Sequence, residues 1–269
     1  MAFDFHKDKQ RYFQMQYENS KTYVLQFVQS AFQLPENARV LEIGSAEGGV
    51  LKAFTELGHQ CVGIELSPSR VELANQFMAE EIAAGKVEFI SRNIYDINPE
   101  EDLGFRFDLV ILKDVIEHID EQEKFIPKLK DFLAPKGKVF FGFPPWYMPY
   151  GGHQQICKSK LLSVLPWFHL LPSFLYKAVL KIFGETPKRI DELLEIKETG
   201  ISIERFEKLL KLNNFFVVSK TFYLVNPIYS YKFGLKVKKQ FGFISAIPWI
   251  RDFFTTAVYY LVEQNPSQQ

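Results

Sequence analysis

The stretch VLEIGSAEGG, residues 40–49, decides the fold of this chain. Its apolar run predicts a buried strand, and the small residues that follow predict a tight loop. As a dinucleotide-binding pattern the loop is incomplete, because Ala46 replaces the second glycine, which lets the backbone approach a pyrophosphate. The Gly-Lys-Ser/Thr of a Walker A loop is absent. Since Glu42 would repel a phosphate, the loop favours a ligand that carries a positive charge and hydroxyl groups.

A second carboxylate follows the second predicted strand. Glu65 lies 21 residues beyond Gly44, at the end of CVGIEL (61–66). Acidic residues at this place accept hydrogen bonds from a ribose diol in related folds. The alternative for Glu42 and Glu65 is a plain strand–helix turn with solvated carboxylates.

Short β-rich runs alternate with helical stretches between residues 38 and 143. The predicted strands are RVLEIG (39–44), CVGIEL (61–66), KVEFISRN (86–93), FDLVILKD (107–114) and KVFFGF (138–143). Continuous apolar strands that alternate with helices predict right-handed βαβ units on a parallel sheet. We therefore expect a doubly wound α/β fold.

The chain divides into four predicted segments. Residues 1–37 form an N-terminal helical segment, and 38–143 form the α/β core. Residues 144–200 break the alternation with prolines and aromatic residues, and we expect this insert to form a lid over a ligand site. Residues 201–264 complete the sheet and carry a second insert at 226–253.

The composition excludes some classes of function. Lys+Arg and Asp+Glu both number 32, which argues against general nucleic-acid binding. Cys61 and Cys157 are too few for a disulfide framework and fit no metal-ligand spacing. Because Met1–Tyr12 lacks the apolar run of a signal peptide and no window predicts a spanning helix, we expect a cytoplasmic protein.

Five motifs carry a family resemblance: VLEIGSAEGG, VGIELSPSRVELA, VEFISRNIYDI, FDLVILKDVIEHI and LAPKGKVFFGFP. In order and spacing they resemble class I S-adenosylmethionine-dependent methyltransferases, above all the branch of ubiquinone-biosynthesis and small-molecule O-methyltransferases. The resemblance is close over 38–145 and one of topology over 200–264. It implies S-adenosylmethionine as cofactor and a Rossmann-like sheet of seven strands, mostly parallel, with an antiparallel last strand.

The resemblance also implies how the cofactor is held. The glycine loop packs against its methionine and ribose parts, Glu65 accepts from the ribose hydroxyls and Leu66 lies against the adenine. Asn93 replaces the usual Asp that faces the adenine amino group, and its amide oxygen can still accept from that amine. The expected cofactor-binding residues are Glu42, Gly44, Ser45, Gly48, Gly49, Glu65, Leu66, Asn93, Ile94 and Lys113.

The segment LKDVIEHI (112–119) carries the first candidates for chemistry. If it is helical, Asp114, Glu117 and His118 lie on one face and could bind a divalent ion. Members of the resembled branch have acidic, acidic and His residues at the matching places. We favour the alternative, in which Glu117 and His118 stabilise the loop under the cofactor and no metal binds. Lys113 either meets the methionine carboxylate or faces water.

His153 is the strongest catalytic candidate, with Asp114 and His118 beside it. Gly151 and Gly152 allow a sharp chain path that presents His153 to the pocket, and histidine suits a general base on a hydroxyl. The alternative is a loop histidine bonded to backbone. Three aromatic residues either line an acceptor pocket or pack the insert: Trp146, Tyr147 and Tyr150.

The apolar and aromatic stretch 161–183 has Lys160, Lys177 and Lys181 around it. It could lie on a membrane surface or bind a lipid-linked acceptor. The alternatives are a lid over a small-molecule site and a homodimer contact.

The leading hypothesis is methyl transfer to a hydroxyl of a small molecule such as a sugar, a glycolipid or a quinone-like ring. The alternatives are an N- or C-methyltransferase and a cofactor-binding partner protein without catalysis.

Overall fold

The computed structural model describes residues 8–265, so the first seven residues of the predicted N-terminal segment lie outside the described part. One sheet of eight strands runs through the described chain. The strands are β1 Arg39–Ile43, β2 Gln60–Glu65, β3 Val87–Ser91, β4 Phe107–Lys113, β5 Leu133–Phe143, β6 Phe215–Val225, β7 Lys238–Lys239 and β8 Ala257–Gln264.

The strand order is β3-β2-β1-β4-β5-β8-β6-β7. Strands β1 to β5 pair in parallel, whereas β8 runs antiparallel to both β5 and β6. The predicted doubly wound fold and its antiparallel last strand are therefore confirmed. The chain reverses its direction of winding between β1 and β4, and open α/β sheets bind ligands outside the carboxyl ends of the strands at such a point.

The predicted number of seven strands is wrong by one. Lys238 and Lys239 form a two-residue edge strand that pairs with Val225 and Tyr223 of β6. Two lysines at an exposed sheet edge discourage pairing with another chain, and their sequence carries no apolar alternation that would predict a strand.

Helices cover both faces of the sheet. They are α1 Lys9–Asn19, α2 Leu25–Gln29, α3 Gly49–Thr55, α4 Pro68–Phe77, α5 Ala79–Ala83, α6 Gln122–Lys128, α7 Lys160–Val164, α8 Ser173–Ile182, α9 Pro187–Thr199, α10 Ile203–Leu212, α11 Ile228–Phe233, α12 Gly242–Ser245 and α13 Ile250–Phe253. A π-helical turn, Ser20–Val24, joins α1 to α2. No helix within residues 8–265 is both long enough and apolar enough to cross a bilayer.

Two apolar cores lie on the two faces of the sheet. Alternate residues of each strand enter different cores: Leu41 and Ile43 pack on one side, and Val40 packs on the other. This alternation follows from the two-residue period of a strand. The insert has a third, smaller core of its own, which includes Phe168, Tyr176 and Leu180.

Two predicted elements differ from the observed ones. Strand β5 begins five residues before the predicted 138, because α6 ends at Lys128 and one 3₁₀ turn completes that connection. The segment 112–119 does not form one α-helix. Strand β4 continues to Lys113, Asp114 has a φ of 56°, and only Ile116–His118 forms a 3₁₀ turn.

Candidate functional site

The glycine loop leaves β1 and turns back against the end of β2. The amides of Gly44 and Ser45 donate to the Ile64 carbonyl at 2.7 and 3.2 Å, and the Gly48 amide donates to the Ser45 carbonyl at 2.8 Å. Gly49 then begins α3. The loop is thus fixed by its own backbone at the carboxyl edge of the sheet.

Gly48, like Gly44, has a positive φ and no room for a Cβ in this loop. Its φ is 84°, and an added Cβ would lie 2.5 Å from the Phe89 ring. Positive φ strains residues that have a Cβ, and the close ring leaves no space for one. The loop therefore depends on glycine here for both conformation and space.

Glu65 holds the loop from the end of β2. One carboxylate oxygen accepts from the Ala46 amide and the other from the Ser67 amide, both at 3.0 Å. Each oxygen has a further lone pair for a ligand hydroxyl. The carboxylate thus both shapes the loop and remains able to accept from a diol.

Glu42 is only 2% exposed, and no described residue donates to its Oε2 atom. Burial raises its pKa well above the usual range, although Lys113 acts in the opposite direction. A buried carboxyl oxygen without a donor costs free energy unless a ligand or a proton satisfies it. Glu42 is therefore suited to a ligand that donates a hydrogen bond or carries a positive charge.

The N-terminal helix covers this loop. Lys9 Nζ lies 2.9 Å from Oε1 of the buried Glu47, and the Phe13 carbonyl approaches Gly49 so closely that a Cβ there would lie 2.6 Å from it. Sequence reasoning missed Glu47 as a site residue, because an acidic residue within a loop is ordinarily solvated. The one sequence signal that could have identified Glu47 is its position inside the glycine-loop motif.

Lys113 forms an ion pair with Asp114 rather than facing water. The two groups lie 2.5 Å apart, and the lysine side chain is buried. Burial alone would lower the pKa of Lys113, but Asp114 outweighs burial and raises it. Burial alone would raise the pKa of Asp114, and Lys113 lowers it instead. Both groups are therefore charged at neutral pH.

His153 lies beside His118, with the two ring centroids 5.0 Å apart. Ligand atoms of Glu117, His118 and His153 all lie within 4.8 Å of one another. The condition for Asp114, Glu117 and His118 to share one helical face is not met, because the backbone turns at Asp114 and no α-helix forms there. His153 takes the third place, and sequence spacing could not reveal it, since it follows β5 rather than β4.

Two features of this cluster bear on its chemistry. Both carboxyl oxygens of the buried Glu117 lack a partner among the described residues, and burial, followed by Asp114, raises its pKa well above the usual range. Burial, followed by His118, lowers the pKa of the half-buried His153 to about 3. The His153 ring is therefore neutral at physiological pH, which leaves one ring nitrogen with a lone pair for a ligand hydroxyl or a cation.

A buried hydrogen-bond set fixes the loop that carries Glu117. The Gln122 amide donates to the carbonyls of Ile116 and Thr199 at 2.9 and 2.7 Å, and the Thr199 hydroxyl donates to the Glu117 carbonyl at 2.7 Å. Sequence reasoning missed both residues, because Thr199 lies 77 positions beyond Gln122 and 82 beyond Glu117. The insert is thus anchored directly to the site.

The path of the chain to His153 is set by close packing. An added Cβ on Gly152 would lie 2.3 Å from the Cβ of His169, and neither Gly151 nor Gly152 has a positive φ. His153 itself has a φ of 50°. The two glycines therefore serve the packing of the insert, and the sharp turn falls on His153.

Three aromatic residues predicted at an acceptor pocket occupy different surroundings. Trp146 packs edge-on against His169 with centroids 4.6 Å apart. Tyr147 stacks on Phe253 at 5.4 Å. Tyr150 is exposed, with its hydroxyl 3.4 Å from the Val164 carbonyl. Trp146 and Tyr147 therefore make packing contacts with other aromatic side chains of the protein.

The residues expected around an adenine ring follow β2 and β3. The Leu66 side chain is 68% exposed, which leaves it open for contact. The Asn93 side-chain oxygen accepts from the Tyr95 amide at 3.1 Å, and Ile94 is buried in the core. Ile94 therefore offers a ligand less surface than the sequence suggested.

Comparison with known proteins identifies the fold. The family model described as a methyltransferase domain matches residues 14–149. Geranyl diphosphate C-methyltransferase from Streptomyces coelicolor A3(2), whose crystal structure contains Mg²⁺, geranyl diphosphate and S-adenosyl-L-homocysteine, superposes with a TM-score of 0.56. At 12% identity over 90% of this chain and 78% of that one, the likeness is one of fold.

Curated relatives share sequence over the core. A ubiquinone biosynthesis O-methyltransferase of Rhodopseudomonas palustris (strain TIE-1) is 29% identical over 102 residues, which span 38% of this chain and 38% of the relative. The chloroplastic tocopherol O-methyltransferase of Arabidopsis thaliana is 32% identical over 102 residues, 38% of this chain and 28% of that protein. The similarity thus covers well under half the length of each relative.

Proposed function

Because this chain belongs to the methyltransferase domain family, we propose that it is a class I S-adenosylmethionine-dependent methyltransferase that acts on a hydroxyl of a small molecule. The observation that carries the proposal is the glycine loop between two buried carboxylates, Glu42 and Glu65. The curated relatives named as O-methyltransferases support a hydroxyl acceptor.

The described residues fit the cofactor in charge and in space. Glu42 offers a buried oxygen to a cationic or hydrogen-donating group, and Glu65 offers lone pairs to a diol. At the loop itself, Gly44, Ser45, Gly48 and Gly49 would face the methionine and ribose parts. Leu66, Asn93 and Ile94 would lie toward the adenine. Lys113 would contribute to cofactor binding indirectly, through its ion pair with Asp114.

S-adenosylmethionine supplies an electrophilic methyl group when bound, so the protein has only to align the acceptor and receive its proton. We assign the proton to a ring nitrogen of His153, which is neutral at physiological pH. Asp114 is charged and His118 adjoins His153, so both would orient the acceptor hydroxyl. The insert 144–200 would cover this acceptor side.

A direct assay tests the reaction type. The purified chain is incubated with S-adenosylmethionine labelled in its methyl group and with a catechol, an alkylamine or a prenylated hydroquinone. We expect the labelled methyl group to appear as a methyl ether of an acceptor that carries a hydroxyl. Label in the amine or on a ring carbon would contradict O-methylation and support the alternative N- or C-methyltransferase.

The same cluster favours a second use, which is to hold a divalent cation. Glu117, His118 and His153 would be its ligands, and the cation would polarise the acceptor oxygen. A chelator separates the two uses: unchanged turnover supports His153 as the base, whereas loss that an added divalent metal restores supports the metal site.

A further inference from the structure

Two segments at the carboxyl edge of the sheet share an unusual charge pattern. Residues 144–184 contain four lysines, and residues 226–251 contain four lysines and Arg251, but neither segment contains an Asp or a Glu. The whole chain has equal numbers of acidic and basic residues, so these segments carry a net positive charge that the rest of the chain balances. Arg251 is buried and paired with Glu204 and Glu207, which leaves the lysines as the source of that net charge.

Helix α8 in the first segment has two apolar faces. Tyr176 and Leu180 are buried, whereas Phe174 is 72% and Ile182 is 80% exposed. Because an α-helix turns once every 3.6 residues, Phe174 and Ile182 share the side opposite the buried pair. Lys177 and Lys181 lie on one flank of that exposed face.

The second segment exposes a further group of large apolar side chains. Phe241 and Phe243 stack with centroids 5.8 Å apart, and α13 follows them closely in the chain. The exposed members of this group are Phe241, Phe243, Ile247, Trp249 and Ile250, with Phe254 just beyond the segment, after the buried Asp252. Clustered exposed apolar groups of this kind mark interaction surfaces in water-soluble domains.

The first segment contacts the C-terminal end of the second at Tyr147, through Phe253 just beyond residue 251. The indole N–H of Trp167 in the first segment donates to the Tyr147 carbonyl at 3.0 Å, and the Tyr147 ring stacks on Phe253 next to Phe254. Strands β5 and β6, which lead into these segments, both run antiparallel to β8 and so end at the same edge as β1. The exposed groups therefore adjoin the side of the sheet that holds the glycine loop and His153.

We propose that these two segments form one docking surface for an anionic lipid bilayer, which presents a lipid-embedded acceptor to the site. Exposed Phe, Trp and Ile would enter the interface, and the lysines would contact acidic headgroups. The proposal rests on the proposed function only where it names the acceptor as lipid-embedded.

The charge pattern favours a bilayer over a second copy of the chain. A two-fold dimer through this surface would bring the same patch of each copy together. The lysines of both copies would then face each other with no Asp or Glu from either segment to pair with. Anionic headgroups supply the missing negative charge.

Vesicle flotation tests the surface without methyl donor or acceptor. The full chain is mixed with phosphatidylcholine vesicles, with or without phosphatidylglycerol, at low and high salt. The variants are Phe174→Ser/Ile182→Ser and Lys177→Glu/Lys181→Glu. Matched controls on α10 are Leu212→Ser, also at an exposed apolar residue, and Lys208→Glu/Lys211→Glu.

We expect the wild type and both controls to float with the anionic vesicles, and each α8 variant to bind about tenfold more weakly. High salt should weaken the binding, because it screens the headgroup charge. Circular dichroism and S-adenosylhomocysteine affinity confirm that the variants are folded.

Three results would overturn the proposal. They are a wild type that does not float with anionic vesicles, α8 variants that bind like the wild type, and a solution dimer that only the α8 variants dissociate. None of these results bears on methyl transfer to a water-soluble acceptor, so the proposed function stands or falls separately.

Discussion

His153 combines a strained backbone, a half-buried ring and a neighbouring imidazole. Its φ is 50°, and its amide donates to the Tyr150 carbonyl at 3.2 Å. Non-glycine residues at positive φ cost free energy and persist where the surroundings hold them in place. The positive φ, together with the lowered pKa, distinguishes His153 from an ordinary loop histidine.

Replacing His153 by Gln should remove the proton acceptor while keeping a polar side chain. We expect turnover to fall by about 10²–10⁴-fold, the usual contribution of a general base. Affinity for S-adenosylhomocysteine should stay unchanged, because the proposed function assigns the ring to the acceptor and not to the cofactor. Steady-state kinetics and calorimetry on the same preparation measure both quantities.

The pH profile of the wild type gives an independent control. A histidine with a pKa of about 3 stays neutral as the pH falls from 7 to 5, so turnover should not drop with a midpoint near the ordinary value of 6.5. Unchanged turnover of His153→Gln, or a midpoint near 6.5 that the variant lacks, would contradict this account of His153.

At the scale of elements, the glycine loop combines a required conformation with a required space. We expect Gly48→Ala to lower the free energy of unfolding by about 2–4 kcal/mol, because it adds positive-φ strain to overlap with Phe89. Gly58→Ala is the matched control, since Gly58 has a φ of 85° with nothing within 4 Å of an added Cβ.

Chemical denaturation of both variants measures the difference. The control should lose only the conformational part, about 1–2 kcal/mol. Equal losses for the two variants would show that the close approach of Phe89 contributes nothing.

The insert carries a histidine that makes stability depend on pH. Burial lowers the pKa of His169 to about 4; its Nε2 lies 2.9 Å from the Trp146 carbonyl, and its own carbonyl accepts from Lys197. The unfolded chain protonates near pH 6.5, while the folded chain resists protonation down to about pH 4. Stability should therefore be lost as the pH falls through this window, by up to about 1.4 kcal/mol per pH unit.

His169→Gln removes this titration and should reduce the slope of the free energy of unfolding against pH between 6.5 and 4. The lowered pKa values of His153, His118 and His59 keep the remaining slope. Urea denaturation at several pH values measures the slope. A variant whose slope equals that of the wild type would exclude His169 as the source.

For the molecule as a whole, the sequence predicts the sheet better than the site. Apolar runs and glycine stops locate β1 to β5, because burial on both faces leaves a continuous signal. The antiparallel last strand, β8, follows from the family resemblance. The edge strand at Lys238–Lys239 has no such signal, since its pairing depends on where β6 ends.

In the candidate site, too, some residues have a local sequence signal and others depend on tertiary contacts. Glu42, Glu65 and the glycines follow from a local motif with defined spacing. The contacts of His153 with His118, and of Thr199 with the Glu117 loop, join residues far apart in sequence. Such contacts are set by tertiary packing, which no periodicity records. The lowered pKa of His153 is likewise a consequence of packing, chiefly of burial, which the sequence does not record.

The central claim, that the loop between Glu42 and Glu65 binds S-adenosylmethionine, is tested most directly by calorimetric titration with S-adenosylhomocysteine. We predict saturable binding at one site by the wild type, and binding weaker by about 10–100-fold in Glu65→Gln, which loses a charged acceptor for the ribose hydroxyls. Leu57→Gln, a change at an exposed residue of the helix-to-β2 turn, should bind like the wild type. No binding by the folded wild type, or equal affinity in Glu65→Gln, would contradict the account.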